Sequence, residues 1–427
     1  MADYQSPISP GRSWYEDSVA ERPRYPALEG DLKVDVLVVG GGFTGLSAAA
    51  HLAARGVSVA VLEAHRFGDG ASGRNGGQLN TGHRLWTADL EPTYGFERTK
   101  ALFDLAEEAK AHLLEFSRVH AIDIDYAEGQ LSVAHRQRLV KDYADNAEDL
   151  ATRYGYPHIA LMDRAETQER LGSTAYFGGT RDAGTGHIHP LKLLVGTARV
   201  AAEAGAQLFE ETPVVSLTGV GGVLATTARG RIRADRALIA TNAHGGDLNR
   251  EAARHIMPIR SFIGATAPLK EPERVLPGNE AVDDSRFVVR YFRKSRDGRL
   301  LFGGREAYTS AAGDISHHIR RQIADVYAHL KDVEITHAWG GSVGITMVRM
   351  PYVRIVEPGI TAIGGFSGHG VMLSNFTGRL YADRVTGNRD RLAEFEALKI
   401  PAFPGGTALR QPLLFLAMTW YSLRDRL

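Results

Sequence analysis

Residues Val34–Glu63 read VDVLVVGGGFTGLSAAAHLAARGVSVAVLE, and this stretch decides the fold. The apolar run Val34–Val39 has the character of a buried strand. Thr44–Arg55 carries small and apolar residues at a helical period, Gly56 ends it, and Val57–Leu62 is a second strand. Between strand and helix lies Gly40-Gly41-Gly42-Phe43-Thr44-Gly45. Gly40 permits the tight turn, Gly42 lets backbone approach a pyrophosphate, and Gly45 lets the helix pack close on the strand. The helix N-terminus then offers free N–H groups to the anion. Glu63 closes the second strand, where a carboxylate accepts hydrogen bonds from a ribose 2′-OH and repels a 2′-phosphate. A glycine-rich turn alone is commonly structural. Strand, turn, helix, strand and acid in register indicate a dinucleotide site, and they leave NAD or FAD open.

Working outward, composition bounds the rest. The 427 residues exceed one usual domain by about two to three times, so two domains are expected. Hydrophobic residues make up 44% and charged residues 23%, the profile of a globular protein with a sizeable core. Lys+Arg and Asp+Glu both number 50, which argues against a nucleic-acid partner. Cysteine is absent, removing disulfides, thiol nucleophiles, Cys-ligated zinc, iron–sulfur clusters and cysteinyl-linked cofactors. Residues 1–30 form a polar, proline-containing arm without the apolar core of a signal peptide. Pro412–Leu423 is apolar but shorter than the roughly 20 residues a membrane span needs. Followed by Arg424-Asp425-Arg426, it suits a membrane or subunit contact, with packing on its own core the plainer alternative. A cytoplasmic protein is expected.

Helical periods mark Phe96–Val119, Ala134–Tyr154, Leu191–Ala204 and Ile315–Leu330, and Gly129–Val133 reads as a strand. Residues 207–240 alternate short strands with glycine turns. Phe287–Tyr291 and Leu300–Phe302 read as strands of a second sheet, and Ile360–Ala382 returns to strand, glycine turn and helix. The expectation is an α/β protein. Its Rossmann-like nucleotide-binding domain is assembled from discontinuous segments, 31–95, 183–250 and 350–427. A substrate domain, 96–182 and 251–349, is inserted as a mixed or antiparallel sheet with helices (α+β).

Two further glycine segments extend the pattern: Gly70–Gln78 (GASGRNGGQ) and Gly364–Gly370 (GGFSGHG). With these the chain resembles the D-amino-acid-oxidase, glycine-oxidase and sarcosine-oxidase superfamily of FAD enzymes from Trp14 to Leu427. GASGRNGGQ, GHIHPLKL, the arm from Arg22 and the tail from Phe403 resemble more narrowly the bacterial gamma-glutamylputrescine oxidases. The resemblance implies non-covalent FAD. Gly40, Gly42, Phe43, Thr44 and Gly45 would hold its pyrophosphate, Glu63 its adenosine ribose, and Ala64 and Val214 its adenine. Ser72, Arg74, Asn75, Gly76, Gly77, Gln78 and Leu79 would follow the ribityl chain and flavin. Ala240, Thr241 and Asn242 would close over the diphosphate. Gly365, Phe366, Gly368, His369, Gly370 and Val371 would meet the flavin pyrimidine, where a helix N-terminus stabilises negative charge.

The implied activity is oxidative deamination of a small-molecule amine, with oxygen or another electron acceptor. A neutral amine loses a hydride, and the imine hydrolyses. Deprotonating an alkylammonium at pH 7 costs about 4–5 kcal/mol unless the site shifts its pKa. The candidates for contact with the reacting groups are His369, Arg305, Gln78 and Tyr291. Asn80 and His83 follow as orienting groups, and Trp339 as a second wall. Each has a plainer reading as a pocket-lining, loop-shaping or core residue. His187 with His189, and His317 with His318, lack a third ligand at a recognisable spacing, so no metal is expected. Met372 stands where sarcosine oxidases carry a substrate-binding Lys, which favours an amine whose acid group is remote, such as gamma-glutamylputrescine. The strand segment LLFGGR likewise lacks the Lys those enzymes use with oxygen. Sarcosine- or pipecolate-like substrates, and a non-catalytic flavoprotein subunit, are the alternatives.

Overall fold

A computed structural model describes residues 6–246, 248–307 and 315–406, with only the backbone of 305–307. The tail segment Pro412–Leu423 lies outside the described residues. Strand β1 (Leu32–Val39), helix α1 (Phe43–Ala53) and strand β2 (Val59–Leu62) form the unit that the opening motif predicts. The two strands pair in parallel, from Val36 opposite Val59 to Val39 opposite Leu62. Leu37, Val38, Ala60 and Val61 are wholly buried. Strands covered on both faces need no alternation, hence their continuous apolar runs.

The remaining strands are β3 (Ala127–Val133), β4 (Ile159–Met162), β5 (Gly179–His187), β6 (Gln207–Phe209), β7 (Val214–Thr218) and β8 (Val223–Thr227). They continue with β9 (Arg231–Ile239), β10 (Met257–Thr266), β11 (Ala281–Asp284), β12 (Tyr291–Lys294), β13 (Leu300–Ala307), β14 (Ile335–Ile345), β15 (Tyr352–Glu357) and β16 (Ile360–Gly364). One sheet has the order β15-β16-β9-β1-β2-β6, with β7 and β8 joined to it through β9. Its run from β16 to β6 is parallel. The other has the order β14-β10-β13-β12-β11-β3-β5-β4 and is antiparallel except where β11 meets β3. The chain passes between the sheets repeatedly, so the nucleotide-binding layer is built from discontinuous segments, as expected. The principal further helices are α2 (Phe96–Val119), α3 (Val140–Thr152), α4 (Pro190–Glu203), α5 (Ile315–Val326) and α6 (Gly370–Val385).

Three elements differ from the sequence expectation. The helix predicted from Ala134 begins at Val140, because Ala134 still pairs as an extended residue with Phe177 and Gly178. No strand forms at Phe287–Val289. There the backbone wraps the Asp284 carboxylate, which accepts from the N–H groups of Arg286 (3.2 Å) and Arg290 (3.0 Å), and pairing resumes only at Tyr291. Helix α5 stops at Val326, and Ala328–Leu330 is a separate short turn. Gly and Pro interrupt the sequence patterns of β5, β10 and β14, so no local signal marks them as strands. Among the described residues, no helix is long and apolar enough to cross a membrane.

The junction between the sheets is lined by buried, neutral histidines. His187 ends β5 and bonds through Nε2 to the Asn279 carbonyl (2.8 Å). His189 caps α4, its Nδ1 accepting from Lys192 N–H (3.2 Å) and its Nε2 meeting Ser18 Oγ (2.9 Å). Burial first, and then the nearby Arg293 cation, push both rings down to about 3. Burial alone lowers His83 to about 4. Unfolded, such rings titrate near 6.5, so below that pH the unfolded chain takes up protons that the folded chain refuses. This contribution to stability is therefore complete above about pH 6.5 and falls progressively toward about pH 3. The melting temperature should drop between about pH 7 and pH 4. His189→Asn keeps a capping acceptor but no titrating ring, and should flatten that decline; an unchanged slope would count against it.

Candidate active site

Gly40 adopts φ +106°, and a Cβ there would lie 2.8 Å from the Ala240 carbonyl oxygen. A Cβ at Gly45 would strike the Gly40 carbonyl. The two glycines thus let β1, α1 and the end of β9 approach closely, as the motif requires. Gly42 precedes α1 without a capping side chain of its own, and Ser72 Oγ accepts from Phe43 N–H (3.0 Å). Glu63 turns back on this site, accepting from Gly41 N–H (2.8 Å) and His65 N–H (3.0 Å). Burial raises its pKa, and those two donors oppose the rise. Thr212 N–H donates to the Glu63 carbonyl (2.9 Å), bringing Val214 and Ala64 to the same end of the sheet. Thr44 is buried in the first turn of α1.

The loop from Ser72 to Leu79 runs between the two sheets and is held by its carbonyls. Arg74 C=O accepts from Trp339 Nε1 (3.0 Å), and Asn75 C=O from the Tyr15 hydroxyl (2.9 Å). Gly76 C=O accepts from Arg293 Nε (2.6 Å), and Gly77 C=O from Ile188 N–H (2.8 Å). Four successive carbonyls are thereby tied to four different parts of the chain. Gln78 Nε2 donates to the Val282 carbonyl (2.8 Å), joining the loop to β11. The Arg74 guanidinium is buried against the carbonyls of Gly340 (2.7 Å), Pro10 (2.9 Å) and Gly11 (2.6 Å). The side chain thus secures the N-terminal arm, and the residue also lines the cavity between the sheets. Leu79 is buried in the core. Asn75 shapes the turn, its Oδ1 accepting from Gly77 N–H (2.8 Å).

On the opposite side, Asn242 Oδ1 accepts from Gly365 N–H (2.8 Å), tying the end of β9 to the turn before α6. Thr241 Oγ1 is buried with no partner among the described residues. Phe366 is buried, and Gly368 through Val371 lead into α6, which begins at Gly370 with no capping side chain.

A cavity of about 640 Å³ opens between this turn and the loop. Asn75–Gln78, Tyr291 and Ser367–His369 are among the residues that line it. His369, Gln78 and Tyr291 therefore face one space. Burial, then Arg84 and His83, hold the His369 ring well below its ordinary pKa, so it is neutral. Arg305 lies on β13 opposite Phe262, and its side chain lies outside the described part. Trp339 is a core aromatic, wholly buried. Met372 is also wholly buried and does not line the cavity, so the missing cation at that position says nothing about what the wall binds. His187 and His189 make the structural bonds described above, and no three potential metal ligands converge among the described residues.

Sequence reasoning missed Arg84 and Asp283. Both line this cavity and also a smaller chamber of about 120 Å³ behind it, with Asn80, Ser132, Tyr143 and His369. Burial lifts the Asp283 carboxyl to about 6 against the pull of Ser132 and Arg84. An acid pair ending a short apolar strand was visible at 283 and 284, but only strand pairing shows what each one faces.

The glycine turn at the α1 N-terminus, the uncapped N-terminus of α6, a buried threonine hydroxyl without a partner among the described residues and a wide cavity between two sheets fit a flavin dinucleotide. Residues 40–45, 63 and 240–242 would hold its dinucleotide portion, and 72–78 and 365–371 its ring. Such a cradle defines a nucleotide-dependent oxidoreductase. The chain belongs to the FAD dependent oxidoreductase family, whose model matches residues 35–384, and FAD is its cofactor. It is 59% identical over 425 residues to the probable oxidoreductase OrdL of Rhizobium meliloti (strain 1021), covering 99% of both chains. It is 34% identical over 419 residues to gamma-glutamylputrescine oxidoreductase of Escherichia coli (strain K12), covering 97% of this chain and 98% of that one. Its fold superposes on glycine oxidase from Geobacillus kaustophilus with a TM-score of 0.73, at 24% identity, over 86% of this chain and 99% of that one.

Gly42→Val should abolish FAD binding, seen as colourless purified protein, since the branched side chain would stand between the α1 N-terminus and the pyrophosphate. Acid precipitation of the native protein should leave the flavin in the supernatant; yellow retained in the pellet would contradict non-covalent binding. Arg293→Met should weaken FAD binding by roughly tenfold without touching the cofactor, since a buried carbonyl left without its donor costs about 1–3 kcal/mol. Flavin titration of the apoprotein measures this.

Proposed function

We propose that this enzyme oxidises the primary amine of gamma-glutamylputrescine, yielding the aldehyde, ammonia and, with oxygen as acceptor, hydrogen peroxide. The observation that carries the reading is the cavity. Its 640 Å³ is space for the flavin ring and a substrate together, since the loop at 75–78 and the turn at 367–369 that would hold the ring both line it, and Asn80, Asp283 and Ser285 add polar groups to its wall. Arg84 stands on its wall, partly exposed, with no carboxylate at ion-pair distance among the described residues. It suits the remote carboxylate of a glutamyl group. The full-length similarity to a gamma-glutamylputrescine oxidoreductase supports the same substrate class.

Bound FAD supplies the hydride acceptor. The chain's own residues supply position and environment. Tyr291 walls the loop: a Cβ on Gly76 would come within 2.9 Å of its ring. The Tyr291 hydroxyl is anchored at Ser261 Oγ (3.1 Å). Neutral His369 brings no positive charge against a substrate that arrives as a cation. The first turn of α6, which has no capping side chain, would offer its N–H groups to negative charge on a flavin held by 365–371.

Anaerobic flavin bleaching should be faster with gamma-glutamylputrescine than with putrescine, sarcosine, glycine or pipecolate, and readmitted air should release peroxide. Faster bleaching by sarcosine or glycine would overturn the substrate. Arg84→Ala should raise KM for gamma-glutamylputrescine by roughly fivefold, as a partly exposed charge contact contributes up to about 1 kcal/mol. Butylamine, which has no carboxylate, should be unaffected; an equal loss on both would assign Arg84 to the fold.

A further inference from the structure

β11 ends in two adjacent carboxylates with opposite surroundings. Asp284 is fully engaged: it pairs with the Arg286 guanidinium, accepts from the Tyr176 hydroxyl (3.1 Å), and receives the backbone N–H groups of Arg286 and Arg290. Asp283 is held by neutral donors only, Gln130 Nε2 (3.0 Å) and the Ser132 hydroxyl. Among the described residues, no guanidinium, ammonium or imidazole lies within ion-pair distance of it. Arg84 acts on it from farther away. A carboxylate enclosed without a counter-ion is costly to keep charged, and a bound cation removes that cost.

Its position is tied to the flavin loop from two sides. Gln78 clasps the carbonyl of the preceding residue, Val282 (2.8 Å). In the β11–β12 register Asp283 stands opposite Tyr291, whose ring packs against Gly76. The carboxylate lines the large cavity and the chamber behind it, as His369 does. Two residues of the chamber wall carry buried acceptors without partners among the described residues. His83 Nε2 donates to the Leu102 carbonyl (2.9 Å), which leaves Nδ1 with a lone pair and no partner. Gln130 Oε1 is likewise buried without one. A cavity-lining carboxylate without a counter-ion matches an ammonium group with its N–H donors.

We infer that Asp283 is the receptor for the substrate's reacting ammonium, selecting cationic amines over neutral isosteres, setting the carbon next to that nitrogen against the flavin loop, and accepting the surplus N–H proton on its carboxylate so that the neutral amine can lose hydride. The inference rests on the reading of the substrate as an amine. It is tested on the FAD-loaded enzyme with tert-butylammonium, whose nitrogen-bearing carbon has no hydrogen to lose, and with neutral tert-butanol. Binding of each is read from the flavin absorption band. Wild type should prefer the cation at least about tenfold, and Asp283→Asn should abolish the preference while retaining FAD. Asp283→Glu, with its charge on a longer arm, should keep a reduced preference. No preference in wild type, equal weakening of both ligands in D283N, or an unaltered preference in D283E would overturn the assignment. Should D283N fail to hold flavin, the wild-type and D283E measurements decide. If the cation binds through Asp283 but no amine bleaches the flavin, the proposed reaction fails and the cation site stands. If amines bleach D283N as fast as wild type, the reaction stands and the cation site fails.

Discussion

Four consecutive peptide carbonyls, from Arg74 to Gly77, are each bonded to a donor from a different region: the indole of Trp339, the hydroxyl of Tyr15, the guanidinium of Arg293 and the amide of Ile188. A glycine-rich loop has the greatest conformational freedom to lose, and this set of bonds removes it. The donors come from the N-terminal arm, from β12 and β14 of the second sheet, and from the connection into α4. The loop can be formed only when both sheets are in place. Everything that faces the cavity from this side, Gln78 included, takes its position from that clamp.

The clamp also sets the electrostatics of the junction. Arg293 is buried, with carbonyl and hydroxyl oxygens as its partners rather than a carboxylate. Its uncompensated charge helps keep His187 and His189 neutral. A neutral His189 can accept the α4 amide that a protonated ring could not. The cavity wall follows the same economy of charge: His369 is neutral, Asp284 is paired with Arg286, and Asp283 and Arg84 stand apart on one surface. Such a surface presents one charge of each sign to the cavity.

The extent to which the site could be read from sequence follows the range of the interactions that make it. The β1–α1–β2 unit was readable because its requirements are local: apolar runs for strands covered on both faces, glycines where a Cβ would strike a neighbouring carbonyl, and an acid at the next strand end. The turn before α6 was readable for the same reason. The surroundings of Arg74, Trp339 and Met372 were not readable, because each is set by contacts with distant segments. Arg74 reaches the N-terminal arm, and the other two are packed into the core.

By itself the sequence determined the α/β class, the strand–glycine turn–helix unit at 34–55 and the glycine turn before α6, because backbone geometry within a few residues enforces each of them. Only the tertiary structure decided which charged groups share the cavity. Asp283 and Asp284 are neighbours in the chain. One is enclosed by Arg286, Tyr176 and the turn at 285–290, while the other meets Gln130 and Ser132 from β3 across a parallel strand pair. Adjacent residues on a strand point to opposite faces, and what each face meets is set by strand pairing between segments some 150 residues apart, which no local pattern records.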